Sequence, residues 1–203
     1  NVLPRWWKKN GRSFAAVRKG GGLIDVSLNG RTVEYDGRPA IMGMALDVTE
    51  QVRAQRQLKY LAFYDPRTDL PNLSLFYDRL GQALARGKRS QERFAILMLD
   101  LDGFKAVNDT HGHETGDALL QAVGRRFQGC IRESDTVARM GGDEFVVLLT
   151  NLHDVEAASA VARKILAALG EPFLLGGREC RVGASIGICM SPEDGEDMET
   201  LLS

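Results

Sequence analysis

Arg139-Met140-Gly141-Gly142-Asp143-Glu144-Phe145-Val146-Val147 is the stretch on which the reading of this chain turns. Two adjacent glycines permit positive φ and clear side chains from one face of a tight turn. Apolar runs at residues 137–140 and 145–149 flank them, so the spacing predicts a β-hairpin with its tip at Gly141-Gly142. Two acids directly behind the glycines crowd negative charge against apolar strands, which is unfavourable unless a cation or solvent compensates. A solvated acidic hairpin is the plain alternative. A metal ion shared with another carboxylate is the sharper one.

The second carboxylate is found upstream, in Leu99-Asp100-Leu101-Asp102-Gly103-Phe104-Lys105. Residues 94–99 form a continuous apolar run of strand length, suited to a strand covered on both faces. It ends in Asp100, and strand ends open onto clefts where ligands bind. Asp100 and Asp102, two apart on an extended chain, are expected to point the same way. Gly103 lets backbone approach closely, and Lys105 adds a positive charge. Carboxylates take hard Mg²⁺, while amides and a lysine take phosphate oxygens. A polar strand end followed by a turn is the alternative at this site.

Around these two clusters the chain reads as alternating helices and strands. Helical spacing is expected over residues 73–85 (Leu73, Phe76, Leu80, Leu84), 117–130 (Leu120, Val123, Gly124, Phe127) and 157–169, the last ended by Gly170. Residues 172–175 and 180–190 flank Gly176-Gly177 and predict a second hairpin. The expected architecture is α+β, with a central mixed sheet surrounded by helices.

Residues 1–63 have a different character. Alternation over 23–30 and 31–36, a hairpin signal at Asp36-Gly37 and a further strand over 39–48 predict an antiparallel meander of three strands. Lys19-Gly20-Gly21-Gly22 is expected to be an earlier turn. Thr49 is expected to cap a helix over 49–63, whose weak apolar stripe would allow one strand of a coiled coil.

Composition narrows the class. Of 203 residues, 44% are hydrophobic and 26% charged, as in ordinary globular chains. Twenty-six basic residues balance 27 acidic ones, so no basic excess points to nucleic acid. No apolar run approaches bilayer-spanning length. Cys130, Cys180 and Cys189 lack metal-ligand spacing and are expected as buried apolar groups in a reducing, cytoplasmic compartment. Tethering to a membrane through other segments stays open.

The residues quoted carry two resemblances. Gly141-Gly142-Asp143-Glu144-Phe145 is the signature of the GGDEF diguanylate cyclases. Asp100 to Leu120, D-L-D-G-F-K-A-V-N-D-T-H-G-H-E-T-G-D-A-L-L, is similar to that family's other long motif. Leu70-Pro71-Asn72 and Ser185-Ile186-Gly187 resemble its opening L-P-N and later S-[IV]-G. Asp36 to Glu50, D-G-R-P-A-I-M-G-M-A-L-D-V-T-E, resembles the C-terminal end of a PAS sensor domain, with a generic β-meander as the alternative. The implied organisation is a PAS fragment over 1–48, a signalling helix over 49–63 and a GGDEF domain over 64–203. The family's terminal A-D-x-A-M-Y-x-A-K segment is not matched, so that domain is expected to be C-terminally truncated.

The resemblance implies condensation of two GTP into cyclic di-GMP with release of pyrophosphate, in a homodimer. Asp100, Asp143, the Leu101 carbonyl and Glu144 would ligate Mg²⁺, with Mn²⁺ as an alternative. Gly103, Phe104 and Lys105 would hold phosphates beside Gly141 and Gly142. Asp143, Glu144 and Lys105 would be the catalytic side chains. Asn108 and Asp117 would read guanine. His113 would shape the nucleoside pocket or be a structural histidine. Arg132 and Asp135, an R-x-x-D, would bind product as an inhibitor. Arg163 would join them or be a surface arginine. Arg67, Asp69 and Leu73 depart from the family's Leu, Gly and Arg. The alternative function is a silent GTP- or cyclic di-GMP-binding module, with a phosphodiesterase domain downstream.

Overall fold

The computed structural model describes residues 12–202. The chain forms two compact units, one ending at Tyr60 and one from Leu61 to Ser203. In the first, β1 (Arg12–Val17), β2 (Leu23–Tyr35) and β3 (Arg38–Asp47) make an antiparallel sheet in that order. The strands expected over 23–30 and 31–36 are one strand, because β3 offers pairing partners along the whole length, from Val26↔Asp47 to Tyr35↔Arg38. Asp36 and Gly37 both have positive φ, 53° and 69°, as a two-residue hairpin with the right twist demands.

α1 (Thr49–Phe63) follows. Thr49 does not cap it as expected. The Thr49 hydroxyl instead donates to Asp47 (2.6 Å) and accepts the Asp25 amide (2.9 Å), tying the helix start to the sheet. The Asp47 carboxyl is drawn down to about 2 by Thr49 and Arg18.

The second unit is built around four strands: β4 (Arg93–Asp100), β5 (Thr136–Gly141), β6 (Glu144–Leu152) and β9 (Ser185–Ser191), in the order β5-β6-β4-β9. Helices α2 (Leu73–Ser90), α3 (Phe104–His111), α4 (His113–Cys130), α5 (Val155–Gly170) and α6 (Met198–Leu201) complete it. The α+β class is as expected, but the sheet is not mixed. Every paired strand is antiparallel. The helical crossovers do return the chain in parallel, yet one oppositely running strand is inserted within each crossover, giving a split βαβ arrangement.

β4 is buried on both faces, as its apolar run requires. Ala95, Leu97 and Leu99 join a core with Leu120, Phe127 and Ile165 from α4 and α5. Phe94 and Ile96 join a second core with Phe76 and Leu80 of α2. The hairpin expected after Gly170 is shorter than its apolar residues suggest. β7 (Phe173–Leu175) and β8 (Arg178–Cys180) pair alone, and the chain reaches β9 only at Ser185. Cys130, Cys180 and Cys189 are free thiols, the first two buried. None of the helices among the described residues is long and apolar enough to cross a membrane.

Candidate nucleotide site

β4 delivers Asp100 to the end of the sheet, in register with Glu144 on one side and Ser185 on the other. The next residue, Leu101, is buried, and its amide donates to the Asp143 carbonyl at 3.3 Å. The central strand and the Gly-Gly turn therefore meet through backbone, which brings Asp100, Asp143 and Glu144 to one edge. Like charges directly opposite on a sheet are destabilising. The Asp100–Glu144 pair is thus a place where a cation would stabilise the chain.

Asp102 carries the same ladder two residues further, as expected: Asp100 pairs with Ser185, and Asp102 lies opposite Gly183 in the same register. The Asp102 backbone exchanges hydrogen bonds with Gly183 (3.0 and 3.1 Å), and its carboxylate accepts from the Ser185 hydroxyl at 3.2 Å. It anchors the loop through Ser185, the residue opposite Asp100.

Gly103 has φ of 86° and begins α3 with no side-chain cap. Uncapped amides at a helix start suit phosphate oxygens. Phe104 and Val107 turn into the core, which leaves Lys105 exposed. This eight-residue helix was not expected from the sequence, and α4 begins at His113 rather than at residue 117; Gly112, with φ of 85°, divides the two. Asn108 lies on α3 with its side-chain oxygen against Gly116, where an added Cβ would sit only 1.9 Å away. Gly116 immediately precedes Asp117, so the two expected guanine readers share one corner. His113 is exposed at the first position of α4. Asp117 makes an ion pair with Arg67 at 3.0 Å.

The turn itself is clamped by a group that sequence reasoning passed over. Gly141 and Gly142 have φ of 152° and 51°. Arg139 is buried and donates to the Gly142 carbonyl through Nη2 (2.7 Å) and Nε (3.2 Å). Its Nη1 donates to Asp65 at 3.0 Å, and its amide donates to the Pro71 carbonyl. Asp65 also accepts from the Thr68 amide (2.9 Å) and hydroxyl (2.7 Å). Burial pushes the Asp65 carboxyl up, but Thr68 and Arg139 together hold it below the usual carboxylate value. A cleft of about 410 Å³ lies between Asp65–Arg67, residues 72–74 and residues 139–141. It adjoins the turn but takes in none of Asp100, Lys105, Asn108 or Asp117, so it borders the site without being it.

Of the residues expected to bind product, Asp135 is turned inward. One oxygen accepts from the Arg132 amide (3.1 Å) and the other from the Thr150 amide (3.0 Å). Arg132 is exposed, and Arg163 pairs with Glu156 at 2.6 Å. Lys164, next to Arg163, reaches the carbonyls of Gly129 and Cys130, so that turn of α5 lies beside the end of α4 that leads into Arg132.

Among the described residues, no group of three or more His, Cys, Asp or Glu side chains is arranged to hold a metal ion. The oxygens expected as ligands from the sequence are those of Asp100, Asp143 and Glu144 and the Leu101 carbonyl. Hard oxygens of this kind suit Mg²⁺, which is usually held by one or two carboxylates and completed by phosphates and water.

Residues 62–203 match the family described as diguanylate cyclase, GGDEF domain. The chain belongs to the GGDEF family. GGDEF relatives include the bifunctional diguanylate cyclase/cyclic di-GMP phosphodiesterase MucR of Pseudomonas aeruginosa, 45% identical over 76% of this chain and 22% of MucR. The cyclic di-GMP phosphodiesterase PdeR of Escherichia coli is 39% identical over 77% of this chain and 23% of PdeR. The GGDEF domain of TpbB from Pseudomonas aeruginosa superposes with a TM-score of 0.67 at 40% identity, covering 68% of this chain and 81% of that domain. The chain spans less than a quarter of MucR and PdeR, which both extend well beyond it. Asp69, where the sequence departs from a glycine, has φ of 59°, a conformation that Gly adopts without strain and Asp tolerates better than most residues.

Proposed function

We propose that this GGDEF domain is a diguanylate cyclase that joins two GTP molecules into cyclic di-GMP. The observation that carries the reading is the meeting of Asp100, Asp143 and Glu144 at one sheet edge, beside an uncapped helix start and Lys105. Asp100, Asp143, Glu144 and the Leu101 carbonyl would hold Mg²⁺ or Mn²⁺. The ion, when bound, supplies Lewis-acid charge at the phosphates and lowers the pKa of the attacking hydroxyl.

The chain's own groups do the rest. The Gly103–Lys105 turn and Lys105 itself neutralise the triphosphate, and Gly141-Gly142 keep side chains away from it. Asp117 accepts from guanine N1–H and N2–H₂, a donor pair adenine lacks, and Asn108 supplies a complementary amide. His113, exposed at the mouth, borders the nucleoside. The 3′-oxygen of one GTP bonds to the α-phosphorus of another, pyrophosphate leaves, and Asp143 takes the hydroxyl proton. Repetition in the reverse sense closes the ring.

One domain of this kind holds one GTP, so a second copy must face it. The N-terminal sheet, assigned to the end of a PAS sensor, and α1 would set that pairing. Arg132 and Arg163 would bind the product's phosphates and guanine edges as a feedback site, with Asp135 holding the loop in shape.

The second reading is a regulatory module that binds GTP or cyclic di-GMP without turnover. It is favoured by the phosphodiesterase functions named for PdeR and MucR. Incubation of the full-length protein with GTP and Mg²⁺ separates the two. Cyclic di-GMP formation supports the cyclase; saturable GTP binding without product supports the module.

A further inference from the structure

Arg67 stands where the family places a leucine, and its side chain is not idle. Its Nη1 lies 3.0 Å from Oδ1 of Asp117, with the two side chains 51% and 41% exposed. Both groups are therefore open to a ligand. The nearest contact is to Oδ1, and a carboxylate has about four lone-pair sites, so the arginine does not exhaust its capacity to accept.

Guanine's pairing edge presents one acceptor, O6, followed by two donors, N1–H and N2–H₂. A carboxylate satisfies the donors, and O6 needs a separate N–H donor; where the Asn108 amide serves N3 on the sugar side, that donor must come from another side chain. An arginine held on the outer side of that carboxylate places an N–H donor next to two oxygens. The resulting donor-acceptor-acceptor row matches the edge that cytosine offers guanine. The arginine fork has five N–H groups, so it can keep the carboxylate and still reach O6.

We propose that Arg67 is a specificity-determining residue of the nucleotide site, donating to guanine O6 while paired with Asp117. The inference rests on Asp117 being the guanine reader. Arg67 also offsets the negative charge that Asp117 would otherwise present to an incoming triphosphate. Its position in the Asp65–Thr68 turn, held by the Asp65–Arg139 pair, fixes where the arginine stem leaves the backbone.

The test is equilibrium binding of GTP and of 6-thio-GTP, with Mg²⁺, to the full-length protein and its Arg67→Leu and Asp117→Asn variants. Sulfur is a weak acceptor, so 6-thio-GTP keeps both donors and loses the O6 contact. Arg67→Leu is expected to weaken GTP roughly tenfold, the size of one hydrogen bond to a charged group, and to change 6-thio-GTP less than about twofold. Equal weakening of both nucleotides would overturn the O6 contact. Unchanged or tighter GTP binding would overturn it too, and would make Arg67 a competitor for Asp117. If Asp117→Asn leaves GTP binding intact, the assignment of Asp117 itself fails, and the Arg67 proposal goes with it.

Discussion

Arg139 and Asp65 form an ion pair at 3.0 Å, with the arginine side chain 6% and the aspartate 21% exposed. The pair joins the entry turn of the second unit to the Gly-Gly turn, because the same guanidinium also donates to the Gly142 carbonyl. Removing one partner of a buried pair leaves the other uncompensated, at a cost of about 3–5 kcal/mol. Asp65 retains Thr68 and some solvent, so Arg139→Ala is expected at about 3 kcal/mol. Urea unfolding measures it. A loss under about 1 kcal/mol would show that the clamp behaves as a surface pair.

The same contact sets a pH dependence. The Asp65 carboxyl is lowered in the folded chain, so its contribution is complete above the unfolded value of about 3.9. It is lost as pH falls through the lower folded value. Between pH 5 and pH 2.5, the wild-type urea midpoint is expected to fall more than that of Asp65→Asn. Parallel curves would remove Asp65 from the acid response.

Asp69 carries φ of 59°. A β-branched side chain there is strained, so Asp69→Val is expected to cost about 1–2 kcal/mol. Asp69→Gly relieves backbone strain and is expected to be tolerated, with a thermal midpoint at or above that of wild type. Equal effects of the two changes would mean that the side chain, not the backbone, decides this position.

Much of this was legible from local chemistry. Gly141-Gly142 between apolar runs announced its hairpin, and residues 94–99 announced a strand buried on both faces, because turn residues and apolar runs act within a few positions. The Arg139–Asp65 clamp was not legible: the two residues are far apart in the chain, and neither is unusual alone. The common direction of Asp100 and Asp102 was legible from two-residue spacing, because the β4–β9 register continues past Asp100 to Asp102 and Gly183. Helix α3 was missed because its eight residues, ended by positive φ at Gly112, are too few to show a helical period. The antiparallel sheet was hidden because crossover helices look alike whether or not another strand is inserted within the crossover.

Gly116 is buried against Asn108. A glycine in a helix usually gains stability on change to alanine, by roughly 0.5–1 kcal/mol. Here the new methyl must push the Asn108 amide aside. Gly116→Ala is expected to leave the unfolding free energy within about 1 kcal/mol of wild type while weakening GTP binding at least tenfold, roughly the worth of one good hydrogen bond. Unchanged GTP affinity would remove Asn108 from the guanine site.

The proposed cyclase activity places turnover at the acidic edge formed by Asp100, Asp143 and Glu144. Its most direct test is cyclic di-GMP formation from GTP and Mg²⁺ by the full-length protein, beside Asp143→Ala. Product is expected from the wild type, with a loss of about 100-fold or more in the variant. GTP binding by the wild type with no cyclic di-GMP formed, or equal product from both proteins, would contradict it.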